Sequence, residues 1–157
     1  MNKLNILQWN VQGVRARYQE LSSILRNKKV SVACIQETLL GDANWQPAHA
    51  YKMEKSPHFG GDHNRGVAIM IHTTLQYTRV RLYTTLEAVA VTINANKQYT
   101  LCSVYLSPSA NIRKEEIRAL LRQLPRPSLV LGDFNAKHPL WDPINNDDAR
   151  AGTWQVS

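Results

Sequence analysis

The chain has 157 residues, 43% of them hydrophobic, which is the size of one domain with enough apolar side chains for a core and excludes a disordered tail. No apolar run approaches the roughly 20 residues needed to span a bilayer, and Met1-Asn2-Lys3-Leu4 lacks the apolar stretch and cleavage site of a secretory signal, so an intracellular protein with no membrane partner is expected. A formal charge of +7 and a pI near 9.6 favour a polyanionic partner, although a solvated basic surface would account for them equally well.

In chain order, Leu4 to Trp9 alternates apolar and polar residues and meets Asn10, Val11, Gln12 and Gly13, which predicts a strand ending at Asn10 and a turn. Val14, Tyr18, Leu21 and Leu25 then fall on one face of a helix, with Arg15, Arg17, Glu20, Arg26 and Lys28 around its outside. Val30 to Ile35 is short, apolar and rich in β-branched residues, as for a strand covered on both faces, and it runs into Gln36 and Glu37. Residues 39 to 66 carry turn residues at Gly41, Pro47, Pro57, Gly60 and Gly61 and are expected to be irregular.

Strands follow at Val67 to His72 and Tyr77 to Leu82, and Ala88 to Ile93 forms a hairpin with Tyr99 to Tyr105 through Asn94-Ala95-Asn96-Lys97. A helix from about Ile112 to Leu124 has Ile117, Leu120, Leu121 and Leu124 on its apolar side and is stopped by Pro125 and Pro127. Ser128 to Leu131 is a buried strand that delivers Gly132, Asp133, Phe134 and Asn135. Hairpins among irregularly alternating strands and helices give an α/β class with mixed sheets rather than a doubly wound parallel one. Cys34 and Cys102 each lie inside an apolar run and read as buried reduced thiols.

Asn10, Glu37, Tyr105 and Asp133 each close or follow an apolar strand, and strand ends are where functional groups converge in layered α/β proteins. Any one of them has an ordinary structural reading: a turn amide, a helix-start acid, a core aromatic with a wet hydroxyl, a loop cap. Together the two acids, the amide and the hydroxyl suit a metal and a phosphate better than four unrelated caps would.

Five blocks in this order carry a resemblance: Gln8-Trp9-Asn10-Val11-Gln12-Gly13, Ile35-Gln36-Glu37-Thr38, Arg65-Gly66-Val67-Ala68-Ile69, Val104-Tyr105-Leu106-Ser107-Pro108, and Leu131-Gly132-Asp133-Phe134-Asn135-Ala136-Lys137-His138-Pro139-Leu140-Trp141. They resemble the successive motifs of the endonuclease/exonuclease/phosphatase superfamily, and the last resembles the apurinic/apyrimidinic-like endonucleases of arthropod non-LTR retrotransposons. The resemblance implies a DNase I-like fold, a two-sheet mixed β-sandwich flanked by helices. It also implies a Mg²⁺-dependent DNA endonuclease, with Mn²⁺ able to serve, that nicks target DNA for insertion. Asn10, Glu37, Tyr105, Asp133 and Asn135 would form the catalytic set, with Glu37 and Asn10 on the metal side; Mg²⁺ needs only one or two carboxylates and keeps water and phosphate oxygens elsewhere. Asp133 would orient or deprotonate water, Asn135 bond the scissile phosphate, and Arg15, Arg65, Lys137 and His138 contact DNA.

Two departures qualify the resemblance. Gln12 stands where some relatives have an acidic or amide residue, and adds no charge to the metal site. The family's domain normally continues to a further Asp-bearing strand, a DNA-contacting hairpin and a Ser-Asp-His motif, and nothing after Asp133 matches that Asp-His pair; residues 1–157 are thus expected to be such a domain lacking its C-terminal part. His138 lies five residues after Asp133 and is read as a DNA contact or a packing partner of Trp141, and His58 and His63 flank Gly60-Gly61-Asp62 in an expected DNA-facing loop. An impaired endonuclease, a catalytically inactive DNA-binding remnant and, last, a phospholipid or inositol phosphate phosphodiesterase are the readings left open. A following reverse transcriptase domain and a nuclear location are implied by the resemblance, and an unpaired sheet edge would favour self-association.

Overall fold

A computed structural model describes residues 3–58, 64–108, 110–134 and 152–156. In chain order the elements are β1 (Ile6–Asn10), α1 (Val14–Asn27), β2 (Val32–Gln36), β3 (Tyr51–Lys55), β4 (Val67–His72), β5 (Gln76–Val80), β6 (Glu87–Asn94), β7 (Gln98–Tyr105), α2 (Lys114–Arg122), β8 (Ser128–Asp133) and β9 (Gly152–Val156). They make a four-stranded sheet in the order β1-β2-β4-β3 and a five-stranded sheet in the order β5-β6-β7-β8-β9.

Each sheet contains one parallel pair, β1 with β2 and β7 with β8, and antiparallel pairs otherwise. Parallel neighbours need a long crossover, and the two helices supply it: α1 joins β1 to β2, and α2 joins β7 to β8. Both helices lie on the outer faces, which gives a helix-sheet-sheet-helix stack with three apolar seams.

Alternation along the strands assigns the buried side chains to the seams. Val32 and Cys34 of β2, Val67, Ile69 and Ile71 of β4, and Val89, Val91 and Ile93 of β6 meet between the sheets with Leu101, Tyr105 and Leu131. The intervening Ala33, Ile35, Ala68 and Met70 face α1, through Val14, Leu21 and Leu25. On the other side Ala88, Ala90, Cys102, Val104 and Val130 face Ile117, Leu120 and Leu124. This double covering explains why these strands read as continuous apolar runs. Both cysteines are free thiols in the interior, and burial pushes the Cys102 thiol up to about 12 and that of Cys34 higher still.

The fold is the expected two-sheet sandwich with mixed sheets and flanking helices. Two strands differ from the sequence reading. The stretch expected to be irregular contains β3, whose residues Tyr51-Lys52-Met53-Glu54-Lys55 bury only Met53 fully, because the strand lies at the sheet edge and its charged side chains break any apolar run. β9, absent from the sequence reading, pairs antiparallel with β8, matching Gly152 to Gly132 and Val156 to Ser128, and is the outer strand of its sheet. Helix α2 is also shorter than Ile112 to Leu124; the Arg113 backbone N–H donates to Glu116 Oε2 at 2.7 Å and fixes its start, while Leu124 remains buried just beyond its end. No helix among the described residues is long and apolar enough to cross a membrane.

Candidate active site

Parallel and antiparallel pairing together bring one end of six strands to the same rim of the sandwich: the C-terminal ends of β1, β2, β7 and β8, and the N-terminal ends of β4 and β6. On several strands that face the other sheet, the inward register ends in a polar residue at this rim. Leu129 and Leu131 lead to Asp133, Leu101 and Ser103 to Tyr105, and Cys34 to Gln36; Val91 and Val89 lead back to Glu87. A cluster of polar groups therefore caps an apolar seam.

Asn10 Nδ2 donates to Asp133 Oδ2 at 2.8 Å, linking the first sheet to the second across 123 residues of sequence. Because a carboxylate oxygen is the partner, the amide must present its NH₂ there, and its carbonyl oxygen turns back to accept the Gln12 backbone N–H at 3.3 Å. The Asp133 carbonyl accepts the Leu106 N–H at 3.0 Å, which fixes the backbone beside Tyr105.

Glu37 breaks the strand alternation, since its φ of 54° lies in the left-handed region that non-glycine residues rarely adopt. The turn is held on both sides: the Glu37 carbonyl accepts the Gly13 N–H at 2.8 Å, and the next residue's N–H, that of Thr38, donates to the Gly66 carbonyl at 3.1 Å. The carboxylate then meets two groups. Arg65 Nε lies 3.0 Å from Glu37 Oε1, and the Tyr105 hydroxyl hydrogen-bonds the same carboxyl. Burial, followed by the charge of Glu37 and that hydrogen bond, pushes the Tyr105 phenol up to about 12, with Asp133 adding to the shift. Tyr105 is thus a protonated donor between two acids.

Asn10, Glu37, Tyr105 and Asp133, predicted from separate strands, are brought into one connected cluster, and Arg65 joins it through Glu37. Arg15 is exposed on the first turn of α1, at the same rim. Asn135, Lys137 and His138 lie outside the described residues, as does the Gly60-Gly61-Asp62-His63 part of the expected loop. Among the described residues no three His, Cys, Asp or Glu side chains gather to cage a metal. Glu37 and Asn10 offer oxygen donors of the kind Mg²⁺ accepts, an ion that needs only one or two carboxylates.

Sequence reading missed Glu87 and the polar ladder below the site. Glu87 Oε1 accepts the Gly66 N–H at 2.7 Å, and the Arg65 N–H also bonds this carboxylate. Burial raises the Glu87 pKa, the two backbone bonds oppose that rise, and Glu37 adds to it. Its signal was available: Glu87 is the polar first member of the alternation Val89, Val91, Ile93. Beneath Glu37, Gln8 Nε2 donates to Gln36 Oε1 at 2.7 Å, and Gln36 Nε2 to Ser103 Oγ at 3.0 Å, which in turn donates to the Ile35 carbonyl at 3.3 Å. Gln36 and Ser103 are wholly buried, and such groups are retained inside a core only when satisfied.

Residues 7–155 match the model of the Endonuclease/Exonuclease/phosphatase family. A probable RNA-directed DNA polymerase from transposon BS of Drosophila melanogaster is 30% identical over 157 residues, covering 96% of this chain and 17% of that protein. The RNA-directed DNA polymerase from mobile element jockey, of the same organism, is 26% identical over 88% of this chain and 15% of its own length. The chain thus spans about a sixth of the curated relatives it matches. Among solved structures, the endonuclease domain of TRAS1, a telomere-specific non-LTR retrotransposon, superposes with a TM-score of 0.68 at 25% identity, over 94% of this chain and 67% of that one. An AP endonuclease from Archaeoglobus fulgidus shares the fold, with a TM-score of 0.64 at 19% identity over 88% and 60%. With its two-sheet sandwich and its rim of strand-end polar groups, this chain belongs to the endonuclease/exonuclease/phosphatase family and contains a retrotransposon endonuclease-like domain.

Proposed function

We propose that this chain is part of a divalent-metal-dependent DNA endonuclease that nicks target DNA for retrotransposon insertion. The observation that carries the reading is the Asn10–Asp133 hydrogen bond next to Glu37 and Tyr105, which joins an acid, an amide, a second acid and a phenol from both sheets at one rim. The similarity to retrotransposon polymerases and to a retrotransposon endonuclease domain supports DNA as the substrate. The net charge of +7 supports it as well.

Glu37 and the carbonyl oxygen of Asn10 would hold Mg²⁺, or Mn²⁺ in its place. When bound, the ion would offset the negative charge that develops on the phosphate oxygens. Asp133, oriented by the Asn10 amide, accepts the proton of the attacking water. Positioned base help of this kind contributes about 10² to 10⁴ in rate. Tyr105, kept protonated, donates its hydroxyl toward a phosphate oxygen, and Asn135 bonds the same phosphate. Arg15, Arg65, Lys137 and His138 neutralise the DNA backbone. In the longer protein a reverse transcriptase domain follows, and the 3′-hydroxyl left by hydrolysis is its primer, which sets the work in the nucleus.

The test is relaxation of supercoiled plasmid with Mg²⁺, with EDTA, and by Asp133→Ala. Nicking that needs Mg²⁺ and falls at least about a hundredfold in Asp133→Ala supports the reading. DNA binding without any nicking would instead support a non-catalytic DNA-binding domain.

A further inference from the structure

Arg65 was expected to face DNA, yet its guanidinium is turned onto Glu37, with Nε 3.0 Å from Oε1. The pair is lopsided. The Glu37 side chain is 11% exposed and the Arg65 side chain 42%, so the acid is fixed at the rim while the base reaches in from solvent. The backbone that carries Arg65 is held independently of this contact. Glu87 accepts the N–H groups of both Arg65 and Gly66, and the carbonyls of the same two residues accept the N–H groups of Leu39 and Thr38 at 3.0 and 3.1 Å. Gly66 has φ 85°, and a Cβ there would collide with Thr38 Oγ1, so the segment is seated tightly against the chain that follows Glu37. A long flexible side chain on a clamped backbone can change partner without any loop moving.

We propose that Arg65 stands in for the divalent cation at Glu37 when no metal is bound, and turns to the DNA phosphate when the metal takes the carboxylate, with Glu87 as the positioning residue that holds Arg65 within reach of both. A carboxylate left unpaired at 11% exposure is costly, and an arginine beside it satisfies it reversibly. Metal binding must then displace the guanidinium, and the freed charge becomes available to phosphate only afterwards. Linkage makes the effect reciprocal: metal and DNA each favour the other's binding through one side chain.

This inference rests on the assignment of Glu37 to the metal, and the experiment separates the two. Mg²⁺ is titrated calorimetrically into the wild-type chain, Arg65→Ala, Arg65→Gln and Glu37→Gln, with circular dichroism to confirm folding. Affinity for a short DNA duplex is measured with EDTA and with Ca²⁺. Arg65→Ala and Arg65→Gln are expected to bind Mg²⁺ about three- to tenfold more tightly than wild type, the coupling of a partly exposed charge pair. Their duplex affinity should fall more in Ca²⁺ than in EDTA, since only the metal frees Arg65 for phosphate. Glu37→Gln losing Mg²⁺ affinity while both Arg65 variants bind it no more tightly than wild type would overturn the exchange and leave the metal assignment standing. Equal loss of duplex affinity in EDTA and in Ca²⁺ would likewise overturn the exchange, since Arg65 would then be a plain DNA contact. Unchanged Mg²⁺ affinity in Glu37→Gln would overturn the metal assignment and the exchange with it.

Discussion

Gly132 sits on β8 one residue before Asp133, opposite Val104 of the parallel strand β7. A methyl group added there would run into the Val104 carbonyl oxygen and lie 2.9 Å from both its carbonyl carbon and its Cγ1. Carbon atoms pack comfortably at about 3.5 to 4.0 Å and the carbonyl oxygen lies nearer still, so Gly132→Ala obliges the two strands to part by about 1 Å. Overpacking of this kind costs about 1 to 3 kcal/mol, and stretching a ladder hydrogen bond adds about 1 kcal/mol. The reduced freedom of the unfolded chain returns about 0.5 to 1 kcal/mol. The net loss, about 1 to 3.5 kcal/mol, corresponds to a Tm lowered by roughly 2 to 14 °C for a chain of this size. Thermal unfolding followed by circular dichroism reads it directly. The displaced β8 should also carry Asp133 away from Asn10, so the hydrogen bond now at 2.8 Å weakens and nicking falls in the protein that remains folded. A Tm within about 1 °C of wild type would refute the reasoning, because no relaxation of a buried strand pair should be that cheap.

Three further outcomes are expected. Glu37→Gln should lose Mg²⁺ affinity in a calorimetric titration while keeping a cooperative unfolding transition, since its side chain is at the rim and not in the seams. Duplex affinity should fall steeply with salt, by about 0.9 in the log-log slope for each phosphate neutralised, and a flat response would remove nucleic acid from the partners. Tyr77 is pushed from 10.0 up to about 12 by burial first and then by its hydrogen bond to Glu54, so its folded pKa exceeds the unfolded one. Its contribution to stability is therefore fully present below about pH 10 and is lost as pH rises through about 12; Tyr77→Phe should flatten that loss in urea unfolding measured across the alkaline range.

Legibility followed burial. β2, β4, β6 and β7 were readable because both faces are covered and their runs are largely apolar, as in Val67-Ala68-Ile69-Met70-Ile71. β3 was not, since a charged edge strand that buries one methionine carries no such run. The site residues that end strands were legible by position, and Asn10, Tyr105 and Asp133 lie on the inward register. Glu87 escaped because it begins its strand instead of ending it, and in an antiparallel neighbour the beginning is what reaches the rim. The partner of Arg65 was invisible for another reason. Nothing in a linear pattern tells whether an arginine faces solvent or a carboxylate 28 residues away, which only the left-handed turn at Glu37 decides.

The Gln36–Ser103 hydrogen bond crosses between the two sheets inside a seam built mostly of valine, leucine and isoleucine. Aliphatic side chains of similar volume tolerate more than one alignment, so a greasy seam chooses partners loosely. A buried amide and a buried hydroxyl do not. Sliding one sheet over the other by a residue would leave both without a partner inside the core. The bond works as an index mark that sets the first half of the chain against the second, one step beneath the rim. The separation of Asn10 and Asp133 is inherited from that mark and from neither sheet alone, so blurring it would cost definition at the site before it cost the protein its fold.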